Sequence, residues 1–150
     1  MINLNSLNEA QRKAVVSTEG PLMVLAGAGS GKTKTLVTRI SYLLTEKRVS
    51  PYRLLALTFS NKAAREMRER VASEVQEDLG ALQITTFHAF CSRLLRQESQ
   101  YLGLSKNFTI YDTTESRSVV KAILGRRGIS TKEVNPYDVL YFMDEIKNHG

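Results

Sequence analysis

The eight residues Ala26-Gly27-Ala28-Gly29-Ser30-Gly31-Lys32-Thr33 leave this chain few folds to choose from. They follow a short apolar run, Leu22-Met23-Val24-Leu25, and precede a helical pattern. Strand, glycine-rich loop, Lys-Thr, helix is the layout of a phosphate-binding P-loop. Glycines let successive backbone N–H groups turn toward one anion. The helix that follows adds the positive end of its dipole. In this layout Lys32 is a point charge against the β- and γ-phosphates, and the Thr33 hydroxyl is the Mg²⁺ ligand. The segment therefore predicts binding of a nucleoside triphosphate. The full pattern opens on Gly, and Ala26 stands at that place.

Length and composition set the outer limits. A chain of 150 residues suits one domain, or one domain plus a fragment, and a hydrophobic content of 42% suffices for a core. No apolar run approaches the roughly 18 residues of a membrane span. The start, Met-Ile-Asn-Leu-Asn-Ser, has neither a basic segment nor a long apolar one, so it does not read as a secretory leader. One cysteine, Cys91, excludes an internal disulfide and fits a reducing, cytoplasmic setting. It lies in a helical pattern, where a small packed thiol is expected. The net charge of +6 suggests a polyanionic partner.

Periodicity then organises the chain. Leu7, Ala10, Ala14 and Val15 recur at helical spacing, behind a capping box of Ser6 with Glu9 or Asn8 with Gln11. Residues 21–26 read as a buried strand leading into the loop. Leu36, Val37, Ile40, Leu43 and Leu44 mark the next helical stripe. Residues 54–59 form a second, near-continuously apolar strand, as parallel strands do. Asn61 reads as the N-cap of a helix with Ala64, Met67, Val71 and Val75 on one face. Residues 82–86 read as a third strand. Phe90, Leu94 and Tyr101 follow on another helix, and residues 108–111 as a short fourth extended run. Alternation of this kind predicts βαβ units with a parallel sheet covered on both faces. The remainder differs. Asp112 with Glu115 opens a helix carrying Val119, Val120, Ile123 and Leu124, ended by Gly125-Arg-Arg-Gly128. Asn135-Pro136 opens another, with Val139, Phe142, Met143 and Ile146 inward. Two consecutive helices indicate the start of a second, helical subdomain.

Three constellations carry chemistry. Gln11 lies on the apolar stripe, and a buried amide without partners costs about 1–3 kcal/mol, so it needs one. Its donor and acceptor match the N6/N7 edge of adenine, but the residues alone favour the plainer reading, a Gln at the stripe's margin bonded to nearby backbone. Two strands end in Thr-Phe, at Thr58-Phe59 and Thr86-Phe87. Ligands meet α/β sheets at the carboxyl ends of strands. An exposed ring beside Ser60, Asn61 and Lys62, or beside His88, is a stacking platform for single-stranded bases. Arg65, Arg68, Arg70, Arg93 and Arg96 stand behind these rings as phosphate partners; core packing of both rings, with Glu66 and Glu69 making an ordinary solvated face, is the alternative. Finally, a P-loop enzyme needs a carboxylate on a neighbouring strand. Tyr141-Phe142-Met143-Asp144-Glu145 resembles such a strand, yet its apolar residues extend at helical spacing from Val139 to Ile146, so it reads as helix. Asp112 is better used as an N-cap. The catalytic carboxylate is expected beyond Gly150, or the domain binds nucleotide without hydrolysing it.

Together these motifs resemble the N-terminus of superfamily 1 DNA helicases of the UvrD/Rep/PcrA type, over the entire chain. Residues 7–15 are similar to the family's Q motif, and residues 26–33 match its motif I including the initial Ala. Residues 57–71 resemble motif Ia, and residues 84–95 motif Ib. The resemblance implies a RecA-like α/β motor domain over residues 1–111, a parallel sheet flanked by helices, and over 112–150 the first helices of the insertion called 1B. It implies ATP and Mg²⁺ as cofactors. Gln11 then reads adenine, residues Ala26, Gly27, Ala28, Gly29, Ser30 and Gly31 cradle the phosphates, and Lys32 and Thr33 carry the catalytic contacts. Lys34 holds a place where the family often has Arg packed on the base, and Lys stacks less well. Thr58, Phe59, Asn61, Thr86 and His88 are implied to touch single-stranded DNA. The implied whole enzyme is a cytoplasmic, nucleoid-associated helicase acting 3′-to-5′ on single strands and single/double-strand junctions in repair or replication. The 150-residue piece is expected to be monomeric and catalytically weak, because the Walker B carboxylates and second motor domain lie downstream. A nucleic-acid-binding module with a vestigial P-loop is the alternative. A small-molecule kinase lacks a recognisable substrate site and base.

Overall fold

The computed structural model describes residues 2–75 and 79–149. It is mixed α/β, with helices α1 (Glu9–Val16), α2 (Lys32–Thr45), α3 (Asn61–Glu74), α4 (Phe87–Gln97), α5 (Thr113–Arg126) and α6 (Pro136–His149), and strands β1 (Leu55–Thr58) and β2 (Gln83–Thr86). The chain divides into two compact units, residues 1–98 and residues 99–150.

Local chemistry explains the element starts in the first unit. Asn8 and Gln11 form the capping box of α1, so of the two boxes legible in the sequence this one is used. Ser60, in extended backbone at φ −125°, caps α3 by accepting from the Ala63 N–H; the expected cap, Asn61, is already the first helical residue. Thr86 ends β2 and caps α4 in the same stroke, its hydroxyl accepting from the Ala89 N–H. Helix α2 has no side-chain cap: it starts directly from Gly31, in the left-handed region at φ 80°.

The core of this unit is one cluster. Val37, Ile40 and Leu44 of α2 meet Ala64, Met67 and Val71 of α3, then Val75, Leu82 and Ile84. The four stripe residues expected on α3 and just after it are all buried. Leu7, Ala14 and Val15 bury the stripe of α1, while Ala10 is exposed.

β1 and β2 pair in parallel, with α3 as the crossover, and Leu55, Ala56, Leu57 and Thr58 stand opposite Gln83, Ile84, Thr85 and Thr86. Both strands fall inside their expected ranges. Two expectations of the sheet are corrected. Residues 21–26 form no strand, and Leu22, Met23, Val24 and Leu25 are exposed, Leu25 at 87%. Residues 108–111 likewise form none. The sheet among the described residues is thus two-stranded. The reason is the ladder: an apolar run becomes a strand only when its N–H and C=O groups find a neighbour, and β1 pairs with β2 alone. Only one face of β1 is covered, with Ala56 packed on the core and Leu55 and Leu57 exposed.

In the second unit, Asp112 and Glu115 form the capping box of α5 as read from the sequence. Pro136 is the first residue of α6, and residues 141–145 are helical, as expected. Val120 and Leu124 are buried on α5, and Arg117 donates to the Tyr137 hydroxyl while lying 5.1 Å over its ring. The inward stripe expected on α6 is corrected: Phe142, Met143 and Ile146 are exposed, because a helix pair buries only the strip where its members touch. Among the described residues no helix is long and apolar enough to cross a membrane.

Candidate phosphate-binding loop and strand-end platform

The loop between Ala26 and α2 is held by its own atoms. The Gly27 carbonyl accepts from the Ser30 hydroxyl at 2.8 Å, from the Lys32 ammonium at 2.6 Å and from the Ser30 N–H at 3.4 Å. Lys32 Nζ also reaches the Ala26 carbonyl at 3.2 Å. Gly29 and Gly31 take φ of +73° and +80°, a region L side chains enter only with strain. Left-handed residues are one requirement of a backbone anion nest. The first-turn N–H groups of α2 have no side-chain cap, which leaves the dipole's positive end open beside the loop. Ala28 is exposed on the loop, and Thr33 is the second residue of α2, also exposed.

A cavity of about 550 Å³ adjoins the loop, lined by Gln11, Ala26, Gly27, Ser30, Lys32 and Arg39 among others. Its size suits a small organic ligand, and Leu22, Val24 and Leu36 give it an apolar side. Gln11 brings α1 to the loop. Its Oε1 accepts from the Asn8 N–H at 3.1 Å, and its Nε2 donates to the Ser30 carbonyl at 2.9 Å. The structure thus gives the amide backbone partners at both ends. Lys34 stands apart from the cavity lining, donating to the Ser6 carbonyl at 2.6 Å.

Arg39 escaped the sequence reading. Its guanidinium donates to the Ala14 and Ser17 carbonyls, closing the C-terminus of α1, and lines the cavity. The signal was present: residue 39 lies seven positions after Lys32, two helical turns along the same face. Ser30 was likewise read only as part of the loop, although its hydroxyl staples it.

A second candidate region lies at the carboxyl ends of both strands. The register sets Thr58 directly opposite Thr86, so the two Thr-Phe steps lie side by side. Phe59 is 98% exposed and Phe87 60% exposed; neither ring is core. The Thr58 hydroxyl donates to the Ser60 carbonyl at 3.0 Å, and the buried Thr86 hydroxyl serves its cap. Asn61 and His88 are exposed in the first turns of α3 and α4. Of the arginines behind the rings, Arg68 donates to the Ile84 carbonyl at 2.7 Å and Arg93 to Gln83 Oε1 at 3.3 Å. Cys91 is a half-buried free thiol on α4.

Comparison with known proteins decides the family. The sequence model of the UvrD/REP helicase N-terminal domain matches residues 7–150. The chain belongs to this family. It is 48% identical over 145 residues to the ATP-dependent DNA helicase PcrA of Staphylococcus aureus and 46% identical to those of Bacillus subtilis and Staphylococcus epidermidis. These alignments cover 97% of the chain and 20% of each relative, so the chain spans about a fifth of their length. In this UvrD/REP domain the glycine-rich loop, Gln11 and a mixed α/β unit with a parallel strand pair fall together in the first compact unit.

Proposed function

We propose that this chain is the ATP-binding N-terminal part of a DNA helicase, built as a RecA-like motor domain over residues 1–111 and the beginning of a helical 1B insertion over 112–150. The observation that carries the reading is the loop: two left-handed glycines, an uncapped α2 N-terminus and the Lys32 ammonium within 2.6 Å of the Gly27 carbonyl surround one small region. A triphosphate fits that donor set, since main-chain N–H groups and an ammonium supply only donors and positive charge. Lys32 would exchange its loop carbonyls for phosphate oxygens. The exposed Thr33 hydroxyl would hold Mg²⁺, which when bound neutralises charge between the β- and γ-phosphates. Gln11, residues 26–31 and Lys34 complete the proposed nucleotide contacts.

The PcrA relatives are named as ATP-dependent DNA helicases, which supports ATP and DNA as ligands. Thr58, Phe59, Asn61, Thr86 and His88 are proposed to meet single-stranded DNA, on the strength of the exposed rings at neighbouring strand ends. In the longer protein, ATP binding and hydrolysis would drive 3′-to-5′ movement along one strand and opening of junctions, in a cytoplasmic, nucleoid-associated repair or replication enzyme. The isolated chain is proposed to be monomeric and to bind ATP–Mg²⁺ without efficient hydrolysis.

Titration of a fluorescent ATP analogue against wild type and Lys32→Ala tests the reading. Weaker binding by Lys32→Ala is the expected result. Equal affinities refute it and favour a nucleic-acid-binding module with a vestigial loop.

A further inference from the structure

We propose that Gln11 shapes the phosphate loop before any ligand arrives, acting as a positioning residue and not solely as a reader of a base. The inference rests on the triphosphate reading above and assigns Gln11 a part in holding the phosphates.

The glutamine side chain is fixed at both ends. The reciprocal pair of Asn8 Oδ1 with the Gln11 N–H, at 2.9 Å, and Gln11 Oε1 with the Asn8 N–H anchors it on the first turn of α1. Its remaining donor, Nε2, holds the Ser30 carbonyl 19 residues away. It also lies across Gly31, where a Cβ would come within 2.8 Å of Nε2. Ser30 is held a second time by its N–H and hydroxyl, both on the Gly27 carbonyl.

This fixes a peptide plane. The Ser30–Gly31 peptide is planar and trans, so turning its carbonyl toward α1 turns the Gly31 N–H to the opposite side. Gly31 then leads at φ +80° into the uncapped first turn of α2. One amide therefore sets the direction of a loop N–H and the angle at which the helix begins. A base that takes up both ends of Gln11 has to displace the Asn8 and Ser30 contacts first. The effect of Gln11 accordingly extends to ligands that have no base.

The test uses Gln11→Glu and Gln11→Ala in the 150-residue chain, with inorganic tripolyphosphate plus magnesium as the probe in titration calorimetry. Glutamate keeps the acceptor of the capping box but loses the donor to Ser30. Alanine loses the donor without adding charge. Both variants are expected to weaken tripolyphosphate by about fivefold, the worth of one ordinary hydrogen bond. GTP weakens by the same factor and ATP by at least as much, and the melting temperature of Gln11→Glu falls by no more than the roughly 2–4 °C that one lost hydrogen bond is worth. Unchanged tripolyphosphate binding beside weakened ATP overturns the proposal in favour of base reading alone. A loss in Gln11→Glu only is charge repulsion and also overturns it. Should wild type bind no tripolyphosphate, the triphosphate reading fails, and the amide NMR resonance of Gly31 in the free chain still decides the link. A shift of that resonance in both variants supports the latch; no shift overturns it.

Discussion

Alanine at Gly31 and alanine at Gly29 separate two costs that the glycine-rich loop combines. Both glycines have positive φ, +80° and +73°, so each alanine carries the left-handed penalty of about 1 kcal/mol. The surroundings differ. A Cβ at Gly29 meets nothing within 4 Å, whereas one at Gly31 comes within 2.8 Å of Gln11 Nε2. That nitrogen is the far end of a flexible side chain, so it moves aside and the backbone stays. Moving it breaks the bond to the Ser30 carbonyl, which adds about 1 kcal/mol. Gly31→Ala is therefore expected to destabilise by about 2 kcal/mol and Gly29→Ala by about 1 kcal/mol. For a domain of this size, each kcal/mol lowers the melting temperature by about 2–4 °C. Calorimetric melting of both variants, repeated in a Gln11→Ala background, reads the difference. The excess at Gly31 should vanish when Gln11 is absent, because the two effects share one contact. Equal losses in the two single variants, or an excess that survives Gln11→Ala, would refute the reasoning.

Other expectations follow from single contacts. Phe59→Ala should leave the melting temperature unchanged, since the ring is 98% exposed, and should weaken binding of a short single-stranded oligonucleotide by about 1–3 kcal/mol in a fluorescence titration. The same titration should show affinity falling as salt rises. Thr86→Ala removes the α4 cap and should cost about 1 kcal/mol in denaturant unfolding, while Thr86→Ser retains most of it. Leu44→Ala, at a side chain 1% exposed in the core cluster, should cost about 2–5 kcal/mol by the same method.

Much of this molecule was legible where a signal was local. The capping boxes at Asn8 and Asp112 need only two residues three apart; the second formed as expected, and the first is one of the two the sequence offered. Pro136 with helical spacing through Ile146 separated a helix from a look-alike strand. The stripe on α3 foretold which residues would be buried because one face met one core. Legibility failed where the outcome depends on partners. Leu22 to Leu25 have the composition of a buried strand, but composition supplies no ladder. Phe142 and Ile146 have helical spacing, but spacing does not say how wide the covering surface is. At the loop, the sequence picked out Lys32 and Gln11, which both line one cavity. It left open whether the Gln11 amide would meet a base or the backbone, because both offer the same hydrogen-bonding edge.

The pairing of Thr58 with Thr86 has a mechanical outcome. Each threonine is the last residue of its strand, Thr86 capping α4 directly and Thr58 standing just ahead of the Ser60 cap of α3, and adjacent strands of a sheet are spaced by about 4.8 Å. The backbone beneath either ring cannot slide along the strand axis without its neighbour, since that would shear the ladder ending at Thr58 and Thr86. A polymer lying across Phe59 and Phe87 would therefore feel a single stiff comb of fixed pitch, and any displacement would carry both teeth together.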